Sequence, residues 1–463
     1  MLKNKDVNML SGPLFKNIVL FTVPIIITNF LQLVFNTADL IIVGRFCGSV
    51  SVAAVGATSS LTHLMINLFI GLSVGAGISA AQAIGARDED QVKRIVHTAV
   101  PVAVISGIII TVVGVLGAEY LLELMETPKE VFSLSVLYLR IYFAGITATM
   151  VYNFSAAILR AAGDTRSPLT FLLLSGVFNV ILNVVFVTVF DMTVDGVALA
   201  TVISQILSAT LTVRALMKRT DACKLILKEI HIYKEPLIKF IKIGIPAGIQ
   251  NCTFSISNVI IQSSVNSFGQ AAIAGNSAGV NIAGYINAVM IAFQQTTVNF
   301  VGQNEGNNNY KRIKKIYAMC LALVFVIEAL MGALAFIYRK PLLSLFITDS
   351  SEAIAIGTLR IGIVCTTQFL LGLMEVTTGT IRGMGVSLAP MASSMIGVCG
   401  FRILWIFTIF RIPDYHSVTS IFVSYPISWF LTFLIELIIF TVIIKYKQEK
   451  YKQIKEQVLL DKL

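Results

Sequence analysis

Pro24-Ile-Ile-Ile-Thr-Asn29-Phe-Leu-Gln32-Leu-Val-Phe-Asn36-Thr-Ala-Asp39-Leu-Ile-Ile-Val-Gly44 is the stretch that decides how this chain folds. It is apolar and long enough to form a helix that crosses a bilayer. It nevertheless carries Asn29, Gln32, Asn36 and Asp39, whose spacings of three, four and seven place them along one side of that helix. A carboxylate there costs roughly 2.5–3.5 kcal/mol on insertion scales, so it is retained only where something needs it.

Working outward, the chain of 463 residues is 56% hydrophobic and only 13% charged, where a soluble protein would hold about 25% charged residues. Mean hydropathy is +0.83. Apolar runs of about 20 residues recur from end to end. These features predict an all-α polytopic membrane protein. Spans are predicted at 15–44, 51–83, 94–117, 132–160, 167–190 and 194–217, and then at 237–266, 272–303, 312–338, 353–381, 388–410 and 417–446. The expected organisation is a six-helix bundle over 1–217, a cytoplasmic linker over 218–236, a second six-helix bundle over 237–446 and a basic cytoplasmic tail over 447–463.

The net charge of +10 does not point to nucleic acid. The basic residues lie in short loops on alternate sides of the spans. Placing both termini in the cytoplasm assigns roughly 26 of the Lys and Arg to that side, as the positive-inside rule requires. The expected location is the cell membrane. Cys47, Cys223, Cys252, Cys320, Cys365 and Cys399 include no C-x-x-C pair and fall mostly within spans, where they read as small hydrophobes. Met1 to Gly12 lacks a signal-peptide pattern, so the first helix is expected to persist in the mature protein.

The two halves repeat at an offset of roughly 221 residues. Pro24, Asn29 and Asn36 match Pro246, Asn251 and Asn258. Gln82-x-x-Gly85 matches Gln303-x-x-Gly306, and Leu159-Arg160-Ala-Ala-Gly163 matches Ile381-Arg382-Gly-Met-Gly385. An even number of helices per repeat implies a pseudo-two-fold along the membrane normal, with a central cleft for a transport pathway.

Depth arithmetic finds partners for Asp39. It lies about 30 Å along the first span, Asn179 and Asn183 lie about 18 and 24 Å along the fifth, and Thr201 lies about 10 Å below the outer end of the sixth. Asp39, Asn179, Asn183 and Thr201 are therefore predicted to meet in the outer half of the first bundle. They form a hard-oxygen set suited to Na⁺, or to a proton carried on Asp39. The competing reading of the amides and the hydroxyl is interhelical glue.

In the second half, Glu375 sits in a helix rich in small residues and is assigned to the same coupling role, with pairing to an Arg as the alternative. Glu328 and Glu436 each have an apolar sequence neighbourhood and no partner that spacing can place. Asn29, Gln32 and Asn36, with Asn251, Ser255 and Asn258, are read as polar walls of a substrate cleft. His63 reads as a structural histidine. No G-x-x-x-x-G-K-[ST], H-E-x-x-H or G-x-S-x-G occurs, so the chain is not expected to be an enzyme or to hydrolyse nucleotide. No cofactor is expected beyond a coupling ion.

These residues together resemble the multidrug and toxic compound extrusion (MATE) family, over roughly Leu14 to Lys445. The motifs are Pro24 through Asp39-x-x-x-Val43-Gly44, Gln82-Ala-Ile-Gly85, Arg160-Ala-Ala-Gly163-Asp164-Thr-Arg166-Ser-Pro168, Asn179-Val-Ile-Leu-Asn183 and Gly196-Val-Ala-Leu-Ala-Thr201. The resemblance implies an antiporter exporting organic, often cationic or amphipathic, compounds in exchange for H⁺ or Na⁺. Its cation site would match Asp39, Asn179, Asn183 and Thr201. Some members carry an aspartate where this chain has Asn183, which leaves the ion's identity open. Others use an acid in the seventh span, where this chain offers Gln250, Asn251, Phe254 and Ser255.

The expected partners are small organic compounds and membrane lipid, with a monomeric chain. The rival readings are a lipid-linked saccharide flippase and a major-facilitator carrier. A flippase should line its cleft with Arg or Lys, whereas Arg140, Arg360 and Arg402 are among the few bases within spans.

Overall fold

The computed structural model describes residues 6–347 and 350–460, so the first five and last three residues of the expected first bundle and tail lie outside the described residues. Among the described residues every regular element is helical. The first half comprises α1 (Leu14–Ile42), α2 (Gly48–Ala86), α3 (Glu89–Leu124), α4 (Lys129–Ala144), α5 (Ile146–Ala161), α6 (Arg166–Thr188) and α7 (Val194–Met217). The second comprises α8 (Lys234–Asn266), α9 (Gln270–Gly306), α10 (Tyr310–Ile337), the short α11 (Arg339–Ser344), α12 (Ser351–Arg360), α13 (Phe369–Gly383), α14 (Leu388–Ser394), α15 (Phe401–Phe407) and α16 (Val418–Leu460).

These helices make the twelve predicted spans. The α4–α5 pair, bent by 45°, is one span, and α12 with α13, bent by 41°, is another. A π-helical segment, Met395–Gly400, joins α14 to α15. The α8 and α9 helices carry the most Asn, Gln and Ser of the set, as the polar faces in their sequences require. Gly145 forms the first bend because a Cβ there would lie 2.4 Å from Val202 on α7.

The sequence repeat recurs as local structure. Asp88 and Asn309 each cap the next helix by accepting a backbone N–H three residues on, at 3.0 and 3.1 Å. The residue before each is left-handed, Arg87 at φ 58 and Asn308 at φ 54. Gly163 and Gly385 close the matching later turns at φ 99 and φ 85.

The compact units are not divided where the linker predicted. One contains residues up to Asn8 and Val23–Gly248, and the other contains Met9–Thr22 and Ile249–Leu463. The expected boundaries at 217 and 237 are corrected for two physical reasons. In α8, Gly244 and Gly248 lie against the α2 backbone at Gly71 and Leu68, close enough that a Cβ at Gly248 would stand 2.2 Å from the Leu68 carbonyl oxygen. The start of α1 instead belongs with α9. There Phe21 meets Phe300 edge-on with centroids 5.4 Å apart, and the Thr22 and Thr296 hydroxyls are 2.8 Å apart. The chain therefore changes unit within helices, where small or matched side chains set the packing.

In the first unit, the linker after α7 is pinned by an ionic cluster. Arg219, 5% exposed at its side chain, donates to Asp6 at 2.7 Å and through Nε to Asp221 at 2.9 Å. Burial pushes the Asp221 carboxyl up, but hydrogen bonds and charge from Arg219, with the Cys223 amide, outweigh it and hold Asp221 below the usual carboxylate range. This depressed group stabilises the linker above the ordinary aspartate value of about 3.9, and the contribution is lost as pH falls through its lower folded value. Asp221→Asn removes it at every pH. We expect severalfold faster tryptic cleavage at Lys218 and Lys224 at neutral pH, read by intact-mass analysis. An unchanged rate would show that Asp6 alone pins Arg219.

Candidate functional site

The first unit brings Asp39, Asn179, Asn183 and Thr201 together. Gly176 on α6 makes the approach possible, since a Cβ there would lie 2.0 Å from the Phe35 ring on α1. One turn beyond Phe35 is Asp39, and one and two turns beyond Gly176 are Asn179 and Asn183. The close passage of the two backbones therefore sets the acid beside both amides.

Asn183 Nδ2 donates to Asp39 Oδ1 at 2.6 Å and to Asn179 Oδ1 at 3.3 Å. Asn179 Nδ2 points to Thr201 Oγ1 at 3.5 Å, and that hydroxyl donates to the Val197 carbonyl at 3.0 Å. Asn183 is fully buried, Asn179 is buried, and Asp39 and Thr201 are half-buried. One atom is left over: Asn183 Oδ1 is buried and has no hydrogen-bond partner. An orphaned amide oxygen two bonds from the group that holds a carboxylate is the feature a cation would use.

The second unit holds a larger polar network on α13, where Glu375, Thr378 and Arg382 follow at three and seven residues, hence on one face. Gly379 lets α13 approach α9, with its Cβ position 2.9 Å from the Gln294 carbonyl oxygen. Gln294 Nε2 donates to Glu375. Arg382 donates to Gln250 Oε1, Gln250 Nε2 donates to Ser394 Oγ at 2.9 Å, and Ser394 donates to Glu436 at 3.3 Å.

Thr378 reaches both Glu436 oxygens, at 2.8 and 2.9 Å, and Ser393 reaches one at 3.0 Å. The partners of Glu436 that spacing could not place are thus Thr378, Ser393 and Ser394. Its neighbours along α16 are apolar, but its hydroxyl partners come from α13 and α14, which chain spacing could not reveal. The Glu375-x-x-Thr378-x-x-x-Arg382 spacing was the available signal for the rest of the network. Glu328 differs from Glu436. It is fully buried, neither carboxyl oxygen has a partner, and it lies against Gly372, whose Cβ would be 2.3 Å from Oε2.

The residues read as cleft walls differ in exposure. Gln32, Asn36 and Asn258 are exposed, and Asn29, Asn251 and Ser255 are half-buried. Ser255 Oγ donates to the Asn251 carbonyl at 3.2 Å. The buried polar groups of α8 are Gln250 and Ser257, each one residue before a member of the expected stripe. His63 is exposed on α2. All six cysteines are free.

A twelve-span helical fold with an intramembrane carboxylate held by amides defines a polytopic membrane transporter. The MatE family model matches residues 24–185 and again 246–408, and the chain belongs to that family. "Probable multidrug resistance protein YoeA" of Bacillus subtilis is 28% identical over 91% of this chain and 92% of its own length. "Probable multidrug resistance protein NorM" of Thermotoga maritima is 26% identical over 84% of each chain. The fold is shared with an outward-facing MATE transporter and with a MOP superfamily transporter from Pyrococcus furiosus. Each superposes with a TM-score of 0.90 at 21% identity, covering 97% of this chain and 100% of the other.

Proposed function

We propose that this protein is a secondary active multidrug efflux transporter of the cell membrane, exchanging organic cationic or amphipathic compounds for H⁺ or Na⁺ by alternating access, with both termini in the cytoplasm. The observation that carries this reading is the orphaned Asn183 Oδ1 beside Asp39. In the arrangement described, both Asn183 N–H groups face acceptors, so the amide compensates an ionised carboxylate. Rotating the amide by half a turn would set Asn183 Oδ1 beside the Asp39 carboxylate and Asn179 Oδ1. Three oxygens then converge, which suits Na⁺, whereas a proton on Asp39 would donate to the newly presented oxygen.

Either occupant exchanges a donor for an acceptor at a buried position, so occupancy alters the hydrogen bonding between α1 and α6. The ion biases the conformational equilibrium only by its differential affinity for the two states. Glu375, bonded to Gln294 and within reach of the Arg382 charge, is the matching group of the second unit.

The test is transport of ethidium by the purified protein in proteoliposomes, with a proton gradient in one set and a sodium gradient in another. Movement that follows one or both gradients and collapses with an ionophore is expected. Ethidium movement that ignores both gradients would overturn the exchange mechanism.

A further inference from the structure

From the second unit we infer a site that none of the above uses: the buried guanidiniums of Arg360 and Arg402 form a binding site for a small monovalent anion, a halide or a carboxylate group. Arg360 ends α12 and is 5% exposed, and Arg402 on α15 is 3% exposed. Both pack on the same ring. Arg402 Cζ is 4.0 Å from the Tyr425 centroid and 5.5 Å from that of Trp429, and Arg360 Cζ is 5.4 Å from Tyr425 and 5.3 Å from Phe422. The cluster lies about 10–14 Å from the helix ends at Ser351 and Val418, well inside the spans.

The hydrogen-bond partners of this pair are all neutral. Arg360 Nη1 donates to Asn276 Oδ1 at 2.6 Å, and Asn276 is itself turned by donating to Gln262 at 2.7 Å. Arg402 Nε donates to Ser428 Oγ at 2.9 Å. Arg360 Nε and Arg402 Nη2 are buried and have no acceptor. Among the described residues, neither guanidinium forms an ion pair with a carboxylate.

Two like charges, each more than nine-tenths buried, with an unused N–H on each, are what a bound anion would satisfy. Guanidinium stays charged at any working pH, so the pair cannot shed its charge as a lysine would. Aromatic faces compensate a cation, but less than the lost hydration of a buried charge. An anion accepting from Arg360 Nε and Arg402 Nη2 would supply the missing acceptors through charge-assisted hydrogen bonds and offset the repulsion between the two charges. This is the reverse chemistry of the Asp39 site, and it stands whether or not the exchange mechanism holds.

The chain contains two tryptophans, Trp405 and Trp429. Trp429 is 5% exposed, which shields it from collisional quenchers. In Trp405→Phe protein, iodide is expected to quench Trp429 in a saturable manner, and chloride or acetate to restore the emission. Arg402→Gln and Arg360→Gln should each weaken half-saturation by roughly tenfold or more, the worth of one charge-assisted hydrogen bond. Restoration by acetate and chloride alike identifies a site for free anions. Restoration by benzoate but by neither small anion identifies a site for a carboxylate carried on an aromatic compound. Quenching that rises linearly with iodide and resists every competitor would overturn the site, and that comparison needs only the Trp405→Phe protein should the arginine variants not fold.

Discussion

Asp39→Asn is expected to abolish gradient-driven efflux while leaving a folded protein. The substitution is isosteric, and the Asn183 N–H still finds an oxygen at 39, so the 2.6 Å contact between α1 and α6 has a neutral replacement. What disappears is the charge. Without it neither H⁺ nor Na⁺ distinguishes the two conformations, and the coupling of about 1–3 kcal/mol typical between two linked sites falls to zero. The readout is the slope of ethidium flux against imposed gradient, which is expected to fall to the gradient-independent background. Thermal stability should hold or rise, because an amide is less costly than a carboxylate within a bilayer. A parental flux slope in the Asp39→Asn protein would remove Asp39 from the mechanism.

Gly248→Ala should have the largest effect on stability. A Cβ at 248 would stand 2.2 Å from the Leu68 carbonyl oxygen, and one at Gly71 would stand 2.3 Å from the Gly244 carbonyl oxygen. The obstacle is backbone in both cases, so α2 and α8 must move apart along their whole contact. Overpacking of this kind costs about 1–3 kcal/mol, and Gly248→Leu should cost more. Gly284→Ala is the internal control, because its Cβ would meet nothing within 4 Å. It should be neutral, or gain about 0.5–1 kcal/mol from reduced backbone freedom. Melting temperatures of the detergent-solubilised variants decide the matter. Equal shifts at 248 and 284 would mean that the α2–α8 approach is not close in solution.

Some of this site was legible before any coordinates, and the reasons are local. Asn179 and Asn183 are four residues apart on a helix, so they share a face wherever that helix lies. Asp39 could be placed beside them because both helices run in the same direction and depth follows from the rise per residue. Glu436 was not legible, since each hydroxyl that reaches it comes from another helix. The same holds for Arg360 and Arg402, which are separated by 42 positions and meet only through Tyr425. The boundary between the units was also hidden. Nothing in the composition of Lys234–Asn266 reveals that its first half packs with α2, because a glycine pair signals a close approach without naming the partner.

By itself, the amino-acid order determined that this chain is a set of apolar helices, roughly where each span lies, that they repeat, and that one of them carries a costly carboxylate. Those properties depend on hydrophobic length, capping and helical periodicity, which act over a few residues. Only the tertiary structure decided which polar groups are satisfied and which are left over. Asn183 Oδ1, the Glu328 carboxyl oxygens, Arg360 Nε and Arg402 Nη2 are distinguished by partners they lack, and a missing partner is a property of the surrounding helices, not of the residue that misses it.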